Sequence, residues 1–281
     1  MKLFKPLLTL LLLAILGIYL FVTAPMPLPE TTTPAGERMP VRVLFDALAA
    51  EQAAARGIFN AEIVTPGLRA GLRFSEEWKN PGVEAGPLPA LLLREVSARL
   101  QSHGSGVGLF LGSDFPIAAP NRFNGPQTQR FNEMKANGRP AYFVDASSGM
   151  QTAMYIDPAG APGCVTCHNE HPESSKRNWV LNDPMGATTW LYREETVSAQ
   201  DVLVRLAALR QSVRESYQSY LDKAAHFVNP AVAIGSKWPS EGLFLPDADT
   251  LMTAISRRAS EPTLLGLIAA AGGAPHAVSS R

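Results

Sequence analysis

The run Cys164-Val165-Thr166-Cys167-His168 carries the most specific chemistry in this chain. Two thiols three positions apart, followed at once by an imidazole, make the C-x-x-C-H pattern to which a c-type haem is attached. Each thiol adds to one vinyl group at one edge of a porphyrin, giving two thioethers. A separation of three residues puts both sulfurs on the same side of a short helix. His168 then lies under the iron as its proximal ligand. The chain has two Cys and five His in 281 residues. Random placement would give this arrangement on the order of once in ten thousand.

Three other chemistries use the same residue types. A thioredoxin-like dithiol opens a helix after a strand in a βαβ setting. Here Asp157-Pro158-Ala159-Gly160-Ala161-Pro162-Gly163 precedes the first Cys and reads as an irregular loop. A zinc site could recruit Cys164, Cys167, His168 and His171, but structural zinc sites usually draw ligand pairs from two separated segments. A plain disulfide needs no histidine. The reading adopted is one covalent haem c, with Cys164 and Cys167 as thioethers and His168 on the iron.

Apolar residues make up 46% of the chain and charged ones 18%, as in a folded protein with a substantial core. The formal net charge is zero and no basic stripe stands out, so nucleic acid is not an expected partner. Lys2 and Lys5 precede an uncharged apolar run from Pro6 to Ala24, long enough to span a bilayer. Cleavage after Val22-Thr23-Ala24 would fit a small-residue rule, yet Pro25 would follow the cut. The expectation is a retained signal anchor, lysines inside and the remainder exported. That places the chain on the periplasmic side of a bacterial inner membrane, held through its N-terminal helix. Haem c is attached outside the cytoplasmic membrane, so anchor and motif agree. Pro25, Pro27, Pro29, Pro34 and Pro40 mark an extended linker.

Beyond the linker, Val43 to about Arg56 has helical spacing, and Ala61 to Pro87 is broken by Gly and Pro. Leu88 to Leu100 reads as a helix, Val107 to Leu111 as a buried strand, and Thr128 to Ala136 as a polar helix. Ala141 to Val144 and Met150 to Ile156 are strands joined by a turn at Asp145 to Gly149. Ala187 to Tyr192 is a closing strand. Helices followed by an antiparallel sheet with an inserted cofactor loop give an α+β plan. Ser198 to Phe227 is a long amphipathic helix with Val202, Leu206, Leu209, Val213, Tyr217, Leu221 and Ala224 on one face. Asp249 to Arg257 and Thr263 to Ala271 are two shorter ones.

Four stretches resemble the periplasmic haem c-binding, PAS-like sensor domain found ahead of bacterial cyclases and chemoreceptors. They are Gly71-Leu72-Arg73-Phe74 with Pro81 to Ala90, Leu109 to Pro116, Cys164 to Ser174, and Asn178-Trp179 with Asp183 and Gly186. The resemblance covers roughly residues 43 to 194. It implies a PAS-like antiparallel sheet with flanking helices and one covalent haem whose proximal ligand is His168. Such domains often carry a Met shortly before the first Cys, where this chain has Gly160. They usually continue into a second span and a cytoplasmic output domain; Leu264 to Gly273 is too short to be that span. The expected layout is a signal anchor over 1–24, a linker over 25–42, the haem domain over 43–194 and a helical extension over 195–281.

The sixth iron ligand is open. His103, Met134, Met150 and Met154 are nearest in sequence. Met154 is favoured because it shares a strand face with Met150 and lies closer to the loop feeding Cys164; His103 is the runner-up. His171 reads as a local hydrogen-bond partner or propionate neighbour, Lys176 and Arg177 as solvated loop cations that could pair with haem propionates, and Trp179 and Trp190 as packing residues. Two function classes remain: an anchored electron-transfer protein, and a redox or small-ligand sensor that signals through a partner. Peroxidase-like catalysis lacks a recognisable distal His-Arg pair. Neither the redox partner nor the signal follows from the sequence.

Overall fold

The computed structural model describes residues 38–270, with side chains to Thr263. The expected anchor, nearly all of the linker and the C-terminal tail lie outside the described residues. No described helix is long and apolar enough to cross a membrane. The architecture is mixed α and β, with helices and small sheets.

A two-residue strand, β1 (Met39–Pro40), leads into α1 (Arg42–Ile58). Leu44, Phe45, Leu48, Ala55 and Ile58 fall at helical spacing and are buried, as an amphipathic helix requires. The helix does not stop near Arg56. It widens into a π-turn, Phe59–Val64, and continues as α2 (Thr65–Ala70). Pro66 accounts for the widening. Its ring would strike the carbonyl four residues back in a regular helix, and it has no N–H to give. The Thr65 N–H instead reaches the Asn60 carbonyl, five back. Gly71, at φ 100°, ends the run in the left-handed region. The irregular stretch expected from Ala61 therefore begins ten residues later. Within it, β2 (Phe74–Ser75) and β3 (Gly86–Pro87) pair in parallel.

α3 (Pro89–Ser102) buries Leu92, Leu93, Val96 and Leu100. Then come β4 (Gly108–Gly112), α4 (Gly125–Asn137), the hairpin β5 (Ala141–Asp145) and β6 (Met150–Pro158), α5 (Pro162–Glu170) and β7 (Pro184–Tyr192). The four strands form one antiparallel sheet in the order β4-β7-β6-β5. Alternation divides their side chains between two cores. Leu109, Ala153, Trp190 and Tyr192 join α1, α3 and later helices, while Met154 and Ala187 pack with Phe131 and Met134 of α4.

β8 (Thr196–Val197) returns to β1, and Ser198 caps α6 (Ala199–Ala224) in a reciprocal box with Asp201. All seven positions expected on the inner face of α6, from Val202 to Ala224, are buried. They pack on α1 and α3. Arg210 adds two hydrogen bonds of 2.9 Å to the buried Glu51 carboxylate of α1. β9 (Ala233–Gly235) and β10 (Phe244–Pro246) precede α7 (Ala248–Ala270), which lies along α1. α7 runs through Pro262, where the sequence suggests a break. Burial of Leu251, Ile255 and Ala259 holds its first part against the core. Residues on both sides of position 195 thus share one core.

The loop between β2 and β3 is tied to the end of α6. The Glu84 carboxylate accepts the backbone N–H groups of Val228 (2.7 Å) and Asn229 (3.0 Å). These two donors hold its pKa below the usual glutamate range. Its contribution to stability is complete above the unfolded value and is lost as pH falls through the lower folded one. Glu84→Gln should therefore be less stable than wild type at neutral pH, with the gap closing in acid. Urea unfolding at several pH values checks this; a gap independent of pH would refute it.

Candidate functional site

Residues Gly160 to Leu181 leave the sheet and return to it at one place. The Ala159 N–H bonds the Asp183 carbonyl at 2.8 Å, and the Asn182 N–H bonds the Ala159 carbonyl at 3.1 Å. Ala159 is fully buried at this neck. α5 lies inside the excursion and carries Cys164, Cys167 and His168 at i, i+3 and i+4, hence on one helix face. All three are half-buried and both thiols are free. Cys164 and Val165 rest on Ala159, Trp179 and Met185.

Asn169 fixes the far arm of the excursion. Its side-chain amide donates to the Trp179 carbonyl at 2.9 Å and accepts the Trp179 N–H at 2.8 Å. Phe115 meets the Trp179 ring edge-on at 6.2 Å, and the Lys176 ammonium sits 4.1 Å over it. Arg177 donates to the carbonyls of Asn169 and Pro172. His171 accepts the Glu173 N–H through Nδ1 and contacts Glu76 through Nε2 at 3.3 Å. His171 and Trp179 take the local and packing roles expected of them, whereas Lys176 and Arg177, expected to be solvated, are engaged by the Trp179 ring and by backbone carbonyls.

The electrostatics separate the competing chemistries. Burial pushes the Cys167 thiol up, and the charge of Glu76 adds to that. A redox dithiol needs the opposite, a stabilised thiolate. Among the described residues no three His, Cys, Asp or Glu are grouped to hold a metal ion, so Cys164, Cys167, His168 and His171 do not assemble a zinc site. Burial also holds His168 below the ordinary histidine range, partly opposed by Asp157. The ring is thereby kept neutral, the form that ligates iron. His168 Nδ1 is buried with no hydrogen-bond partner among the described residues. An imidazole left unengaged beside two free thiols fits haem c.

The two distal candidates are not brought to this motif. Met154 is fully buried among Phe123, Phe131, Met134 and Ala187, in a cluster separate from that of α5. The strand alternation placed it on a face, and α4 covers that face. His103 ends α3 and pairs with Glu215 of α6 at 3.0 Å. It precedes Gly108, whereas the motif lies beyond the other sheet end, where Gly112 pairs with Ala187. Glu76, Asp157 and Arg56 were not singled out from the sequence. Asp157 pairs with Arg56 of α1 at the end of β6, and Glu76 comes from the β2–β3 loop. Nothing local marks either carboxylate as a neighbour of α5.

No family model, curated protein or solved structure matches the chain.

Because Asn169 holds Trp179 from both sides, Asn169→Ala should lower stability by about 1–3 kcal/mol, the range for stranding buried polar partners. Trp179 emission should shift to the red. Unchanged urea midpoints and emission would show that the clamp is not needed.

Proposed function

We propose that this chain carries one covalent haem c and serves as a membrane-anchored, periplasmic electron-transfer protein. One observation carries the reading: two free thiols and an unengaged imidazole lie on one face of a single short helix. Cys164 and Cys167 would hold the porphyrin edge, and His168 Nε2 would take the proximal position. When bound, the haem supplies one-electron chemistry between ferrous and ferric iron. The residues around it position and partly shield it: α5 is fixed by its neck, by Asn169 and by the Trp179 cluster. The PAS-like assignment belongs to the same proposal. An antiparallel sheet whose first strand lies beside its last, flanked by helices, supports it.

A ligand- or redox-sensing role is the second reading, and a specific placement favours it. Met154 is packed under α4 and His103 is paired to Glu215, so both expected distal side chains are engaged elsewhere in the fold. An iron open on one side binds diatomic ligands, and a partner protein would then relay the signal.

In a host with haem-maturation machinery, haem staining should follow the protein band on a denaturing gel. Cys164→Ala combined with Cys167→Ala should abolish it. Haem that extracts from wild type into acid acetone would refute covalent attachment. The two roles part in a second measurement on the same protein. Rapid reversible reduction without CO binding is the electron-transfer outcome; a Soret shift on adding CO to the ferrous form is the sensing outcome.

A further inference from the structure

Besides Glu170 on the motif helix itself, two carboxylates from other elements stand beside it, and of those two only Asp157 is paired with a fixed cation. Asp157 ends β6 and pairs with the Arg56 guanidinium, both largely buried. Glu76 reaches α5 from the β2–β3 loop and has one polar side-chain partner among the described residues, His171 Nε2 at 3.3 Å. His171 is in turn joined to the motif, its backbone N–H bonding the Cys167 carbonyl at 2.8 Å. Glu76 is therefore joined through His171 to the residue that would carry a thioether. The charge of Glu76 adds to the burial that raises the Cys167 thiol. Glu76 and its neighbour Glu77 are both exposed, but of the two only Glu76 reaches a side chain joined to the motif.

A charge placed there acts on an iron held by His168. Ferric haem carries one more positive charge than ferrous haem, so a nearby carboxylate favours the ferric form. We propose that Glu76 sets the reduction potential of the haem, lowering it through the field of its carboxylate. This rests on the proposed haem attachment and names the residue that tunes it. Glu76 is a positioning and tuning group, touching neither the iron nor the thioethers. The half-reaction is one electron taken up by ferric iron to give ferrous iron. In the test, an electrode supplies that electron through mediator dyes.

The experiment is a spectroelectrochemical titration of the haem-loaded protein at neutral pH and low ionic strength. Glu76→Gln should raise the midpoint potential, shifting the ferric–ferrous equilibrium several-fold, where tenfold corresponds to 59 mV for one electron. Glu76→Lys should move it about twice as far in the same direction, since the charge change doubles. Glu77→Gln should leave it in place. Added salt should shrink the Glu76 shifts by screening. A haem-loaded Glu76→Gln protein with the wild-type potential overturns the assignment, as does a Glu77→Gln shift equal to it. Those results leave covalent attachment standing. A wild-type protein without covalent haem overturns both.

Discussion

The pairing of Ala159 with Asn182 and Asp183 is the constraint on which the rest of the site depends. It closes the excursion that contains α5, so the motif is placed by the sheet and not by its own loop. The strands beneath it leave no room for adjustment. A Cβ at Gly186 would lie 2.2 Å from the Gly112 carbonyl oxygen, and the Ser113 hydroxyl bonds the Met185 carbonyl at 2.5 Å. Asn182 takes φ 70°, a conformation its short amide side chain tolerates, and so turns the chain back into β7. Strand pairing, close backbone approach and the left-handed turn all act within a few residues of the point where α5 departs.

The β2–β3 loop ties that site to the helices behind it. At one end Glu76 meets His171. Arg73, just before β2, donates to the Asn229 carbonyl, and within the loop the Asn80 carbonyl accepts from Lys223. Gly86 lies so near Tyr220 that a Cβ would stand 2.6 Å from the ring. The segment after position 195 is therefore no appendage. Its tyrosines and the loop beside α5 share one set of contacts, and displacement of the loop must be accommodated by α6.

Legibility followed the range of the forces involved. The C-x-x-C-H run was readable as a candidate site because its two thiols and imidazole lie within five neighbouring residues, on one face of one helix. The α6 stripe was readable because seven apolar positions repeat at one period, and the β5–β6 hairpin because its turn residues sit between two alternating runs. The helix through Thr65 and Pro66 was not, since proline and Gly67 normally mark an end and a π-turn absorbs them here. Met154 shows the limit most plainly. Period two places it on a face with Met150, but which element covers that face is a tertiary matter. Glu76 lies nearly ninety residues from the motif, and only the folded loop brings its charge there.

The chain is gripped at its first described residue. Arg38 donates to the Thr196 hydroxyl at 2.7 Å and to the Thr196 carbonyl at 2.6 Å, and β1 lies antiparallel to β8. Tension arriving along the preceding segment would thus be borne at Thr196, at the foot of α6, and pass into the long helix. α5 hangs from the opposite side of the same fold, on the Gly112 end of the sheet. The two-residue β1–β8 bridge and the neck of α5 are thus held by separate sets of hydrogen bonds.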